Sequence, residues 1–196
     1  PGGARWASRP AISWPRCRRR GRVSRRRRRG LARRGGGAVA VREITTASPE
    51  ETEALGEALG RAAGGGELLG LVGDLGAGKT CLVRGLARGL GSDSTAVHSP
   101  TFTIATEYHG GRLVLTHVDL YRLERPCDDE LFFRDVLYGE GVAAVEWFDR
   151  LLPAAGDDAL VVTLDYAERD APECRLIRLE PHGARHARWL ARALGA

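Results

Sequence analysis

The chain has 196 residues, a length that suits one domain, and 43% of them are hydrophobic, enough to form a core. No run approaches the roughly 18 apolar residues that a helical membrane span needs, so none is expected. The net charge of +5 conceals two unlike parts. Fifteen of the 30 basic residues precede Glu43, the first acidic residue, leaving 15 basic against 25 acidic from there onward.

Residues 1–38 are rich in Arg, with Arg18–Arg20, Arg25–Arg29, Arg33 and Arg34 set among Gly, Pro and Ser. Such a segment buries too little apolar surface to offset its ordering entropy, so a disordered tail is expected. Three readings stay open: an arm that binds nucleic acid through phosphate contacts, a transit peptide, or upstream sequence absent from the mature protein. The missing initiating Met points to a fragment, a processed chain or a reading frame extended past its start. Cys17, Cys81, Cys127 and Cys174 show no C-x-x-C spacing, which argues against a zinc site or disulfide framework and fits a reducing cytoplasm. The folded domain is expected to span 39–196.

Within that domain, Val39–Ile44 alternates as a short strand should. Ser48-Pro49-Glu50-Glu51 reads as a capping box with Pro at the first helical position, opening a helix that Gly64–Gly66 stops. Glu67–Val72 is an apolar run of buried-strand length. A loop and a helix ending at Gly91 follow. Thr101–Tyr108 and Leu113–Asp119 form a hairpin signal around residues 109–112. A helix over Asp128–Leu137, a strand at Val142–Glu146, a strand pair at Ala159–Asp165 and Arg175–Leu179, and a helix at Ala184–Leu194 complete the chain. Strands and helices interleave, so the fold class is α/β: a P-loop NTPase-like mixed β-sheet flanked by helices, with an inserted β-hairpin.

The loop after the buried strand is Gly73-Asp74-Leu75-Gly76-Ala77-Gly78-Lys79-Thr80, the pattern G-x-x-x-x-G-K-[ST]. Its glycines let backbone N–H groups turn inward as an anion nest, and the helix that follows presents its positive end to phosphates. Lys79, the only lysine, is placed to reach β/γ oxygens, and the Thr80 hydroxyl to bind magnesium. A Gly-rich turn without a ligand is the bland alternative. Asp119 and Glu146 each end an apolar strand, where a P-loop fold holds its metal- and water-orienting carboxylates. Each also has an ordinary reading as a solvated strand end or a partner of Arg122. Guanine recognition by N-K-x-D needs an Asn that this chain lacks, which favours ATP. A small-molecule kinase with a lid built from Arg122, Arg125 and Arg134 stays open on this chemistry.

Four motifs in order, Gly73–Thr80, Ser99-Pro100-Thr101-Phe102, Asp119-Leu120-Tyr121-Arg122 and Val145-Glu146-Trp147, resemble the bacterial TsaE (YjeE) family over roughly residues 41–180. The resemblance implies an ATPase, using ATP and Mg2+, needed to make threonylcarbamoyladenosine in tRNA. It also implies docking on a TsaB–TsaD complex, with tRNA contacted through those partners, and a cytoplasmic location. By position, Gly73, Asp74, Leu75, Gly76, Ala77, Gly78, Lys79, Thr80, Cys81 and Trp147 are expected to bind the nucleotide, and Thr80 and Glu146 the metal. Asp119, Lys79 and Thr101 are expected to serve catalysis, Thr101 as a switch that senses the γ-phosphate. The chain departs from the family's usual residues at Cys81, at Phe148 and in Leu131–Asp135, the last bearing on partner docking.

Overall fold

Ser48 accepts a hydrogen bond from Glu51 N–H while the Glu51 carboxylate accepts one from Ala47 N–H, the reciprocal cap expected from the sequence. With Pro49 in the first turn, this cap starts helix α1, Pro49–Ala62. The computed structural model describes residues 41–123, 139–151, 156–168 and 171–195. Two further helices follow, α2 at Lys79–Leu90 and α3 at Gly183–Leu194. The strands are β1 Arg42–Thr46, β2 Glu67–Val72, β3 Ala105–Tyr108, β4 Leu115–Asp119, β5 Val142–Glu146, β6 Leu160–Glu168 and β7 Ala171–Pro181.

These strands form one mixed sheet in the order β1-β7-β6-β2-β5-β4-β3. The inner four, β6, β2, β5 and β4, run parallel, and antiparallel strands close both edges. The central strand β2 is buried throughout except at Val72, as a strand covered on both faces should be. Side chains alternate across the sheet. Leu69, Leu71, Val142, Ala144, Leu160 and Val162 face a core shared with Leu55 and Leu59 of α1, Leu82 and Leu86 of α2, and Trp189 of α3. Leu68, Ala143, Val145 and Val161 face a second cluster with Phe148 and Leu151. The three α-helices among the described residues therefore lie on one face.

Helices α1 and α2 touch through glycine. A Cβ on Gly85 would lie 1.9 Å from Glu53 O, and one on Gly56 2.1 Å from Leu82 O. Gly60 and Gly89 repeat the arrangement one turn on. The two backbones meet where side chains would hold them apart, and the mutual absence of Cβ permits the contact.

The α/β sheet and its edge hairpin agree with the sequence reading, and the differences are local. Strand β1 starts at Arg42 and runs to Thr46, pairing with β7 from Arg42↔Leu179 to Thr46↔Arg175. Residues 101–104 form a turn, with Thr103 and Ile104 N–H both bonded to Pro100 O, so β3 begins only at Ala105. Strands β6 and β7 are longer than expected because each pairs with the other along one hairpin, interrupted by an irregularity near Tyr166/Glu168. The expected tail over 1–38, the expected helix Asp128–Leu137 and the Leu131–Asp135 departure lie outside the described residues. Among the described residues no helix is long and apolar enough to cross a membrane.

Candidate functional site

The turn between β2 and α2 is built by three glycines of positive φ, Gly73 at 155°, Gly76 at 78° and Gly78 at 102°. Gly73 is required twice over, since a Cβ there would meet Leu164 O at 2.5 Å. No side chain caps α2 at Gly78, and its first turn holds no acidic residue, so the positive end of the helix is left facing the loop. Lys79 is buried beneath this loop. Its ammonium donates to Gly73 O at 2.8 Å and Asp74 O at 2.9 Å, and stands 4.1 Å from the centre of the Trp147 ring. Burial holds that ammonium below the usual lysine range, against the opposing pull of Glu146 and Asp119.

The carboxylates arrive from the neighbouring strands. Asp119 and Glu146 are register partners at the ends of β4 and β5, and Glu146 is opposite Leu71 of β2. Strand alternation then puts Asp119, His117 and Glu146 on the face that α2 covers. Thr80 Oγ1 donates to Glu146 Oε1 at 2.7 Å, and His117 Nε2 lies 3.0 Å from the same oxygen. Asp119 Oδ2 accepts from Ser99 Oγ at 2.5 Å and Thr101 Oγ1 at 2.6 Å, while Oδ1 accepts from Tyr121 N–H at 2.9 Å. Burial raises the Asp119 pKa, but these three donors outweigh it and hold the carboxyl below its usual range.

Trp147 adopts φ 59°, ψ 40°, left-handed backbone that is uncommon for a large side chain. Gly70 of β2 has no Cβ, and one there would sit 2.3 Å from the Phe148 ring, so Phe148 folds under the sheet while Trp147, packed at the edge of the same cluster, stands beside Lys79. Its ring meets Tyr121 at 5.0 Å between centroids. Arg150 Nη1 ties this turn to the end of β4 by donating to Leu120 O and Leu123 O at 2.7 and 2.8 Å.

Lys79, Thr80, Asp119, Glu146, Thr101 and Trp147 thus converge on the C-terminal ends of β2, β4 and β5. Cys81 faces away, its thiol directed to Pro49 O at 3.2 Å, and burial raises its pKa to about 11. Ser99, from the Ser99–Phe102 motif, joins the site without an expected role, and His117, Arg150 and Arg175 join it without having been singled out in the sequence. The alternation of Leu115–Asp119, which puts His117 on the face of Asp119, is the one signal that pointed to any of them.

Much of this domain is similar to known proteins. The family described as threonylcarbamoyl adenosine biosynthesis protein TsaE matches residues 46–175. The tRNA threonylcarbamoyladenosine biosynthesis protein TsaE of Bacillus subtilis is 41% identical over 128 residues, covering 65% of this chain and 80% of that protein. Its counterpart in Streptomyces coelicolor is 40% identical over 137 residues, with coverage of 68% and 92%. The crystal structure of Bacillus subtilis YdiB superposes with a TM-score of 0.65 at 32% identity, over 79% of this chain and 94% of that one. On the family match and these relatives, with the cradle and its two carboxylates in place, the chain belongs to the TsaE family of tRNA threonylcarbamoyladenosine biosynthesis proteins.

Proposed function

We propose that this protein is a magnesium-dependent ATPase that serves threonylcarbamoyladenosine formation in tRNA, working with a TsaB–TsaD-type complex that makes the tRNA contact. The observation that carries the reading is the convergence of a cradle, a buried ammonium and two strand-end carboxylates at the C-terminal ends of β2, β4 and β5, each held by its own hydrogen bonds. The loop amides and the end of α2 would hold the phosphates, and Lys79 would leave the Gly73 and Asp74 carbonyls for the β/γ oxygens.

The donor set suits magnesium. Thr80 and Glu146 offer hard oxygen atoms side by side, and a cation of this kind takes few protein ligands beside phosphate and water. When bound, it would neutralise charge on the phosphate oxygens. Thr80 and Glu146 would hold it, with Glu146 kept in orientation by His117.

Asp119 is the proposed group that orients the attacking water. In this structure Ser99, Thr101 and Tyr121 N–H occupy its oxygens. Movement of the Thr101 hydroxyl toward a γ-phosphate would free a lone pair of Oδ2 for that water. Thr101 would thereby couple phosphate sensing to hydrolysis.

The test is ATP hydrolysis by the full chain, alone and with purified TsaB and TsaD. A low basal rate raised by the partners, and abolished by Lys79→Ala, is the expected result. A rate unmoved by the partners would remove the pathway assignment, and stoichiometric phosphate transfer to an added acceptor would replace hydrolysis with a kinase activity.

A further inference from the structure

Arg175 of β7 reaches across the sheet to the outer side of the cradle. Its Nε donates to Ala77 O at 2.8 Å and its Nη2 to Gly76 O at 3.1 Å. Its Nη1 donates to Pro172 O at 2.5 Å and Cys174 O at 3.1 Å, which fixes the guanidinium to its own strand. The plane is backed by Tyr166 of β6, whose ring centre lies 4.3 Å from the guanidinium carbon. Tyr166 Oη in turn lies 3.5 Å from Leu75 O, so the hairpin meets three successive carbonyls of the loop.

The position is unfavourable for a cation if only the fold is considered. The N-terminus of a helix carries partial positive charge and is stabilised by anions. Here α2 begins with no acidic residue in its first turn, Lys79 lies beneath it, and Arg175 binds the loop that leads into it. Three like-signed groups gather with no carboxylate of that first turn to balance them. The arrangement becomes favourable when an anion occupies the concave side. The peptide whose Ala77 carbonyl Arg175 binds has its N–H on Gly78, and a planar trans peptide directs that N–H opposite to the carbonyl, while Ala77 N–H closes the turn on Asp74 O at 3.1 Å. A charged donor on a peptide oxygen also strengthens that peptide's N–H as a donor.

We propose that Arg175 is a positioning residue of the phosphate cradle, orienting the Gly76 and Ala77 peptides and adding positive charge behind them for a polyphosphate ligand. It acts through the loop rather than by touching the reacting atoms. The proposal rests on the nucleotide reading above, and the experiment separates the two.

Affinity for ATP with magnesium is measured on the full chain by calorimetry across a range of salt concentrations, alongside melting of the unliganded protein. Arg175→Gln keeps an amide donor and loses the charge. It is expected to raise the Kd about tenfold and flatten its salt dependence, with melting within about 2 °C of wild type. Arg175→Lys keeps the charge and loses the forked geometry, so it should retain the salt slope while raising Kd a few-fold. Both variants binding as wild type does, while Lys79→Ala does not bind, would overturn the role of Arg175 and leave the nucleotide reading standing. Weakened binding with an unchanged salt slope and a matching loss of unliganded stability would reduce Arg175 to a structural staple. A wild-type protein that fails to bind ATP would overturn both.

Discussion

His117 Nε2 stands 3.0 Å from Glu146 Oε1, while its other ring nitrogen, Nδ1, is buried without a hydrogen-bond partner. A carboxylate only accepts, so the proton of a neutral ring sits on Nε2. The fold gains nothing from the stranded Nδ1, whose burial costs stability, so the return on this histidine is its hold on Glu146. Replacing it with Phe should leave melting unchanged or raise it. The magnesium concentration at half-maximal nucleotide binding should rise about tenfold, as for lost partners of metal ligands elsewhere. His117→Gln, which can still donate, should recover most of that loss. Titrations of nucleotide binding with magnesium and with EDTA decide the matter, and an unchanged magnesium requirement in the Phe variant would show that Glu146 needs no such support.

The contact between Lys79 and Trp147 gives an optical signal. The ammonium lies 4.1 Å from the ring centre and must leave its two carbonyl partners to meet phosphates. Addition of ATP should therefore change tryptophan emission, with Trp147→Phe abolishing the change even though other tryptophans remain. Trp189, fully buried and bonded to Leu59 O at 2.9 Å, should stay silent. Persistence of the signal in Trp147→Phe would place its source elsewhere.

Gly85→Ala tests the helix contact behind the cradle. The added methyl would lie 1.9 Å from Glu53 O, a backbone atom that cannot turn aside. Separating α1 from α2 should cost about 2–3 kcal/mol, lowering the melting temperature by roughly 5–10 °C. Thermal unfolding monitored by circular dichroism reads this directly, and a variant that melts like wild type would mean the helices can separate freely.

His186 gives the fold a pH dependence. Its Nε2 accepts from Leu68 N–H at 3.1 Å, and its Nδ1 faces His182 O and Asp158 Oδ1 at 3.0 and 3.1 Å. Burial depresses its pKa from 6.5, against the raising effect of Asp158, with Arg185 lowering it further. The unfolded chain therefore binds more protons as pH falls below 6.5, so this contribution to stability is complete above that value and drains away beneath it. Urea midpoints should drop between pH 7.5 and 5.5. His186→Gln should show a smaller drop across the same interval; an equal one would trace the effect to other groups.

Periodicity and turn chemistry were enough to place most of the architecture. Glu67–Val72 read as a buried strand because it lies at the centre of a parallel sheet, and Ser48–Glu51 read as a cap because capping is local. Residues 101–104 misled because Thr and Ile favour strands, whereas here Pro100 O closes a turn and Ile104 takes a φ of 68°. The loop and both carboxylates were visible because spacing and strand ends mark them. His117 and Arg175 were not, because their partners lie 29 and 98 residues away and only strand register brings them close. Arg150 escaped notice for a similar reason, its targets being backbone oxygens that no sequence pattern advertises.

The glycine seam between α1 and α2 has a mechanical meaning for turnover. With backbone lying on backbone, the helix behind the cradle packs against its neighbour with no side chain between them at these glycines. The opposite wall is held differently: Thr101 and Ser99 reach Asp119 only through side-chain hydroxyls, on a turn that is exposed at Phe102. Under the ATPase reading proposed above, the Ser99–Thr103 turn is the side of the site that a rate-governing partner would grip, since it meets Asp119 through hydroxyls and presents Phe102 to solvent.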